Sequence, residues 1–256
     1  MSAAAVGQAL DILRSLVGRE MRIRYKGSIL GVLWAVLSPL GTVLILHMLF
    51  TRLMPLNIPH YAAFIYSGIL PWAWFQAAVQ NAATTLIDNR DLVRRPFFPR
   101  PLLPFVVTLS QFQLYLLAFP VLILLLLAEG VALSPFLLLL PVVWIVQGLF
   151  TLACTVLFAA LGVLIRDVQH LLGVGLTLWF YLTPVFYDLD RVTPAQAWWL
   201  RLNPMAVLVE AHRKLALLGQ APDWSALGLT AVLSTLLLAA SLAFFRVLEH
   251  ELIEQV

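Results

Sequence analysis

Apolar residues run along this chain in long blocks, interrupted at only a few places by short polar stretches. About 20 consecutive apolar residues in a helix cover the ~30 Å of a bilayer's hydrocarbon. Blocks of that kind fall at residues 29–54, 62–86, 102–128, 135–165, 171–187 and 224–246. Six transmembrane helices are therefore expected, with the fifth the shortest. Ahead of them, Leu10, Leu13, Val17 and Met21 recur at helical spacing, with Asp11, Ser15, Gly18 and Arg22 opposite. That pattern predicts an amphipathic interfacial helix within residues 1–28, basic at its C-terminal end. Residues 29–256 then form one six-span unit.

Composition agrees with the pattern. Hydrophobic residues make up 62% of the 256 and charged residues only 11%, whereas soluble domains carry about 25% charged residues. The expected class is an all-α polytopic membrane protein. Cys154, in the fourth span, is the one cysteine; it excludes an intramolecular disulfide and a cysteine-rich metal site, and reads as a small buried hydrophobe. The first 26 residues hold no compact apolar core with a small-residue cleavage site, so no cleavable signal peptide is expected.

Six spans place both termini on one side, and the cations choose which. The N-terminal segment, the 87–101 loop, Arg166 and Arg246 supply eleven lysines and arginines; Arg52, Arg191, Arg201, Arg213 and Lys214 supply five on the other side. The excess marks the cytoplasm, so both termini and the 87–101 loop are expected there. Charge near a membrane surface accounts for the net +3 without any nucleic acid.

Catalytic chemistry is not evident. The chain has no HExxH, GxxxxGK[ST] or GxSxG motif and no His/Cys cluster with metal spacing. Asp188 and Asp190 form one carboxylate pair with no second acidic cluster, so a magnesium-dependent prenyl or phosphatidyl transferase is not expected. Ion-coupled transport is disfavoured too: the spans hold almost no ionisable residues beyond His47 and Arg52.

Several motifs stand in a telling order: "RYKGSILGVLWAVLSPL" with Tyr25, Gly31, Trp34 and Pro39; "SGILPWAWFQ" with Gly68, Pro71 and Trp72; "NRDLVRRPFFPRPLLP"; "LGVLIRDVQHLLGVGLTLWFYLTPVFYDLD"; and "NPM" at 203–205. Across residues 20–210 the chain resembles the membrane subunits of ABC-2-type polysaccharide exporters, which move O-antigen, capsular polysaccharide or teichoic acid. The resemblance implies two copies of this chain with two cytoplasmic ABC ATPase subunits, in the cytoplasmic (inner) membrane of a bacterium. It implies no cofactor here, with ATP and magnesium on the partner subunit, and a polyprenyl-diphosphate-linked polysaccharide as cargo. Efflux of a drug or small lipid is the alternative within the superfamily. A membrane enzyme of polyprenyl-phosphate or sugar chemistry is the alternative outside it.

In the family, the loop between spans two and three resembles a coupling helix that docks on the ATPase. The residues suit a short stiff lever. Asp88 or Asn89 can cap a short helix, Leu92 and Val93 offer an apolar knob, and Arg94 and Arg95 favour the helix's C-terminal end. Pro96, Pro99, Pro101 and Pro104 stiffen the return. Coupling is assigned to Asn89, Arg90, Asp91, Leu92, Val93, Arg94 and Arg95, with Arg22, Arg24, Tyr25 and Lys26 at the cytoplasmic entry. Sugar C–H faces pack on aromatic rings, so Trp34, Tyr66, Trp72, Trp74, Phe75, Trp179 and Tyr181 are candidates to line the channel. Residues 188–223 resemble a re-entrant external gate, carried by Asp188, Asp190, Trp198, Trp199, Asn203 and Pro204. Within it, "MAVLVEAHRKLALLG" reads as an amphipathic or interfacial helix.

Overall fold

The computed structural model describes residues 3–248 except 25, 29, 54, 57, 96, 97, 166, 190–192, 194–198 and 201, and the side chains among them other than 3–12 and 24. In chain order the helices are α1 (Ala3–Arg24), α2 (Trp34–Met48), α3 (Tyr61–Asp88), α4 (Arg90–Val93), α5 (Leu102–Ala128), α6 (Leu140–Leu164), α7 (Val168–Tyr181), α8 (Pro204–Arg213) and α9 (Trp224–Val247). A 3-10 turn (Gly31–Leu33) leads into α2 and a π turn (Leu49–Leu53) ends it; Pro135–Leu139 leads into α6, and a π turn (Lys214–Leu218) extends α8. Among the described residues there is no strand.

Helix α3 is the axis of the bundle. It packs against α2, α5, α6, α7 and α8, and most of its length is buried. Its sequence permits this: Ala63, Ser67, Gly68, Ala78, Ala82 and Ala83 are small, so neighbouring backbones approach closely, as membrane helices require where apolar lipid supplies no hydrophobic drive. At Gly162 of α6 the approach reaches its limit, since a Cβ there would collide with the Ala83 carbonyl. Buried hydrogen bonds tie the same helices together. Gln147 Nε2 donates to the Pro71 carbonyl (2.8 Å), and the Thr108 and Thr155 hydroxyls pair at 3.0 Å.

Among the described residues, five segments are long and apolar enough to cross a membrane: Gly31–Leu53, Tyr61–Asp88, Leu102–Ala128, Pro135–Leu164 and Trp224–Val247. They coincide with five of the six expected blocks. The fifth block, 171–187, differs. Its helix α7 has 14 residues, about 21 Å at 1.5 Å per residue, and it stops at Tyr181. Pro184 explains the stop, because a proline disfavours helix at the residue before it. Residues 182–187 continue as turns rather than helix.

Helix α1 covers Ala3–Arg24 and packs against α5; Val17 is buried, and Arg14, Ser15, Arg19 and Arg22 are exposed. The stretch 205–219 is two-faced, with Val207, Glu210 and Lys214 half-buried, but it packs deep. Met205, Ala206, Leu208, Val209, Ala211, His212, Arg213, Leu215 and Ala216 are all buried, so α8 and its π turn sit inside the bundle against α3, α6 and α9 instead of lying on a surface. Gly219, in the left-handed region (φ 60°), closes the turn, and Asp223 caps α9 by accepting from the Ser225 and Ala226 amides.

Candidate functional site

Where α7 breaks, the carbonyls of residues 182–185 leave the helical ladder inside a membrane protein. Backbone of that kind is tolerated only when protein or water satisfies it. Two side chains from the α8 segment do so. Asn203 uses both ends of its amide: Oδ1 accepts from the Trp179 indole (2.9 Å) and from the Met205 amide as N-cap of α8 (3.0 Å). Its Nδ2 donates to the Leu182 carbonyl (3.3 Å) and the Thr183 hydroxyl (3.0 Å). One turn beyond the break, Arg213 Nη2 donates to the carbonyls of Pro184 (2.9 Å) and Val185 (3.0 Å).

Arg213 is only 2% exposed. Its guanidinium lies over the Phe64 ring, 3.7 Å from the centroid, and Nη1 reaches Glu210 Oε2 at 3.4 Å. Nη1 and Nη2 thus have partners and the charge has a nearby carboxylate, which makes a buried arginine tolerable, although Nε has no hydrogen-bond partner among the described residues. Gly68 makes the room: a Cβ there would stand 3.0 Å from the Val185 oxygen and 3.2 Å from Arg213 Nη2. The arrangement joins α3, the broken stretch and α8. Beyond it, Tyr61 at the start of α3 donates to the Phe186 carbonyl (3.0 Å).

Of the residues assigned to an external gate, Asn203 and Pro204 therefore start α8 and hold the break. Asp188 is half-buried and its charge acts on Arg213; Trp199 is exposed; Asp190 and Trp198 lie outside the described residues. A cleft of about 270 Å³ opens beside Leu189 and α8, lined by Glu210, Lys214, Gln220 and Asp223 over an apolar floor. The Ser225 hydroxyl and then the Ala226 amide hold the Asp223 carboxyl below its ordinary range, so that carboxylate is ionised at neutral pH. Arg213 was not among the expected site residues, because the cation count used it only as a charge on the side opposite the 87–101 loop. The signal was present: "LTPV" breaks a helix, and a break at membrane depth demands a nearby donor.

At the opposite end of α3, helix α4 covers Arg90–Val93. Arg90, Asp91, Arg94 and Arg95 are exposed, Asn89 and Leu92 partly so. Two expectations change here. Val93 does not project: it is 0% exposed, in a cluster with Leu86, Leu103, Ala160 and Phe245. Asn89 does not cap α4 with its side chain, because its Nδ2 donates back to the Thr85 carbonyl (3.0 Å). Arg100 Nε donates to the Val93 carbonyl (3.1 Å), which braces the return. Arg22 and Lys26 are exposed near the end of α1; the side chain of Arg24, and Tyr25, lie outside the described set.

The aromatic candidates divide sharply. Tyr66, Trp72, Trp74 and Phe75 are buried in the subunit. Tyr66 donates to the Ala118 carbonyl (3.1 Å), Trp74 to the Thr108 carbonyl (3.2 Å) and Trp72 to Gln76 Oε1 (2.8 Å). Tyr66 and Trp74 tie α3 to α5, the Trp72 bond stays within α3, and Trp74 also lines an apolar groove between α5 and α6. Trp34 (51% exposed) and Tyr181 (60%) are on the surface, with Trp179 partly so. Among the described residues, no group of three His, Cys, Asp or Glu side chains is placed to hold a metal. Cys154 is a buried free thiol.

Comparison with known proteins identifies the family. Residues 12–217 match the family described as ABC-2 type transporter. The O-antigen export system permease protein RfbA of Myxococcus xanthus is 37% identical over 251 residues, 97% of this chain and 96% of that protein. RfbA of Klebsiella pneumoniae is 28% identical over 250 residues, with the same two coverages. The polysialic acid transport protein KpsM of Escherichia coli is 25% identical over 249 residues, 94% of this chain and 95% of that protein. Profile, length and helical architecture together make this chain a multi-pass membrane protein of the ABC-2 type transporter family.

Proposed function

We propose that the chain is the permease subunit of an ATP-driven exporter that moves a lipid-linked polysaccharide across the bacterial inner membrane. The observation that carries this is the match to export permeases over nearly the whole length of both chains. ATP is hydrolysed by a separate cytoplasmic subunit, which docks on the α4 corner through exposed Arg90, Asp91, Arg94 and Arg95 with half-buried Leu92 between them. Val93 serves as the anchor that carries force from that corner into α3.

The segment 168–187 is the fifth of six crossings, helical for its first 14 residues and extended by the turns at 182–187. Supporting this, α7 begins just after the end of α6, where Gly162 meets Ala83 late in α3, and the chain reaches Tyr61 at the other end of α3 by Phe186. An even number of crossings puts both termini on the cation-rich, cytoplasmic side, with α1 in the headgroup region. Residues 188–223 form the external gate. The cargo runs along exposed aromatics, Trp34 and Tyr181 foremost, between two copies of the chain.

The test is extraction of the tagged chain from its native membrane in mild detergent, with identification of what co-purifies. A stoichiometric ABC ATPase is expected, together with lipid-linked polysaccharide accumulating in the cytoplasm of cells that lack the chain. Surface polysaccharide at normal amounts in such cells would overturn the reading.

A further inference from the structure

The buried guanidinium at the break in α7 serves no purpose in a simple hydrophobic bundle. A charge inside a membrane protein is costly and is kept where it has a partner and a task. Arg213 meets both conditions through one group. Its Nη2 bridges two successive carbonyls, Pro184 and Val185, at 2.9 and 3.0 Å. Its flat face rests on Phe64, and Gly68 opens the space in which all of this fits. The carbonyls it holds belong to the stretch that closes the outer end of the bundle, where Tyr61 binds the Phe186 carbonyl.

We propose that Arg213 is the latch of the outer end: a positioning residue that pins residues 182–187 against α3 and fixes where the chain crosses from α7 into the external segment. The chemistry favours arginine specifically. Nη2 bridges the two carbonyls while Nη1 reaches Glu210 and the flat face stacks on Phe64; a lysine ammonium has three donors but places them on a single nitrogen and has no flat face to stack. Asn203 holds the helix side of the break through Leu182 and Thr183, so Arg213 governs the far side, where the cargo would leave. The consequence for export rests on the exporter reading; the mechanical role does not.

The test places a single cysteine at Val185, fully buried beneath the latch, in a full-length chain with Cys154→Ser. Membranes in both orientations are treated with a bulky polar maleimide. Gln220→Cys, which is exposed in the loop between the π turn and α9, serves as the reactive control. With Arg213 intact, Val185→Cys is expected to label at least about tenfold more slowly than the control; Arg213→Met is expected to raise the rate about tenfold, reporting local opening, and Arg213→Lys to give an intermediate rate. Export at equal membrane content should fall in the same order, with Lys restoring part of what Met loses. If Arg213→Met does not accumulate, Arg213→Lys decides alone, and a rate equal to that of the unsubstituted latch overturns the proposal. So does a Val185→Cys rate that Arg213→Met leaves unchanged, or one already equal to the control. Labelling needs neither cargo nor ATP, so its failure removes the latch and leaves the exporter reading standing. A chain that exports nothing would remove the exporter reading and leave the labelling intact.

Discussion

At the scale of single residues, this bundle is set by places where nothing larger fits. Gly162 is the clearest. The Ala83 carbonyl occupies the position a β-carbon would take, and both neighbours are backbone on packed helices, so neither can step aside as a flexible side chain would. Gly162→Ala must therefore part α3 and α6 locally, and overpacking of this kind costs about 1–3 kcal/mol. The expected outcome is an inserted protein that loses its monodisperse detergent state at a distinctly lower temperature. Gly175→Ala, with open space around its Cβ position and a place in helix α7, is the matched control and should show no such loss. Equal melting of the two variants would refute the close approach.

At the scale of elements, hydropathy made most of the helices legible, because a span announces itself by length and composition alone. Five blocks of apolar sequence return as five long helices with nearly the same bounds. The break in 171–187 was half legible, since Pro184 is visible in the chain but its effect on the crossing is not. Arg213 was not legible: counting cations treats each as a charge on one side, and only the fold shows that this one satisfies carbonyls at a break. The coupling corner failed for a different reason. A helix of four residues has no periodicity to say which side chain faces inward, so Leu92 and Val93 looked alike. The structure separates them, and the separation predicts two distinct phenotypes. Leu92→Asp, on the partly exposed side, should leave the amount of membrane protein unchanged while ATPase association and export drop by roughly tenfold, as loss of a central docking contact does. Val93→Asp puts a carboxylate into a dry apolar cluster at a cost of several kcal/mol, and should instead reduce the protein itself. Quantitative immunoblotting of membranes beside export measurements tells the two apart, and full export by Leu92→Asp would remove the corner from the docking surface.

At the scale of the whole molecule, the interior poses a problem for a protein that moves a polymer. The axis of the single bundle is filled: Tyr66, Trp72, Trp74 and Phe75 pack against α5, α6 and α7, and their polar atoms are committed to partners within the chain. A polysaccharide needs a route wide enough for sugar rings, and opening one here would dismantle the core that holds α3. The outside of the bundle is different. Only 11% of the first span's apolar window is buried, against 78% for α3, and Trp34 lies on it; α7 exposes Leu171, Val174, Leu178 and Tyr181 along one side. Surfaces of this kind on a membrane helix face lipid or another protein, and a two-fold pair would bring the same faces of both copies together around a shared path. Native mass spectrometry of the complex in mild detergent is therefore expected to show two of the 28.5 kDa chains bound to two ATPase subunits. Removing the ATPase with Leu92→Asp should leave the pair of permease chains together, since the surfaces that join them lie in the membrane and not at the coupling corner. A single permease chain in an assembly that still exports would rule out a path between copies and force the polymer through a core that has no room for it.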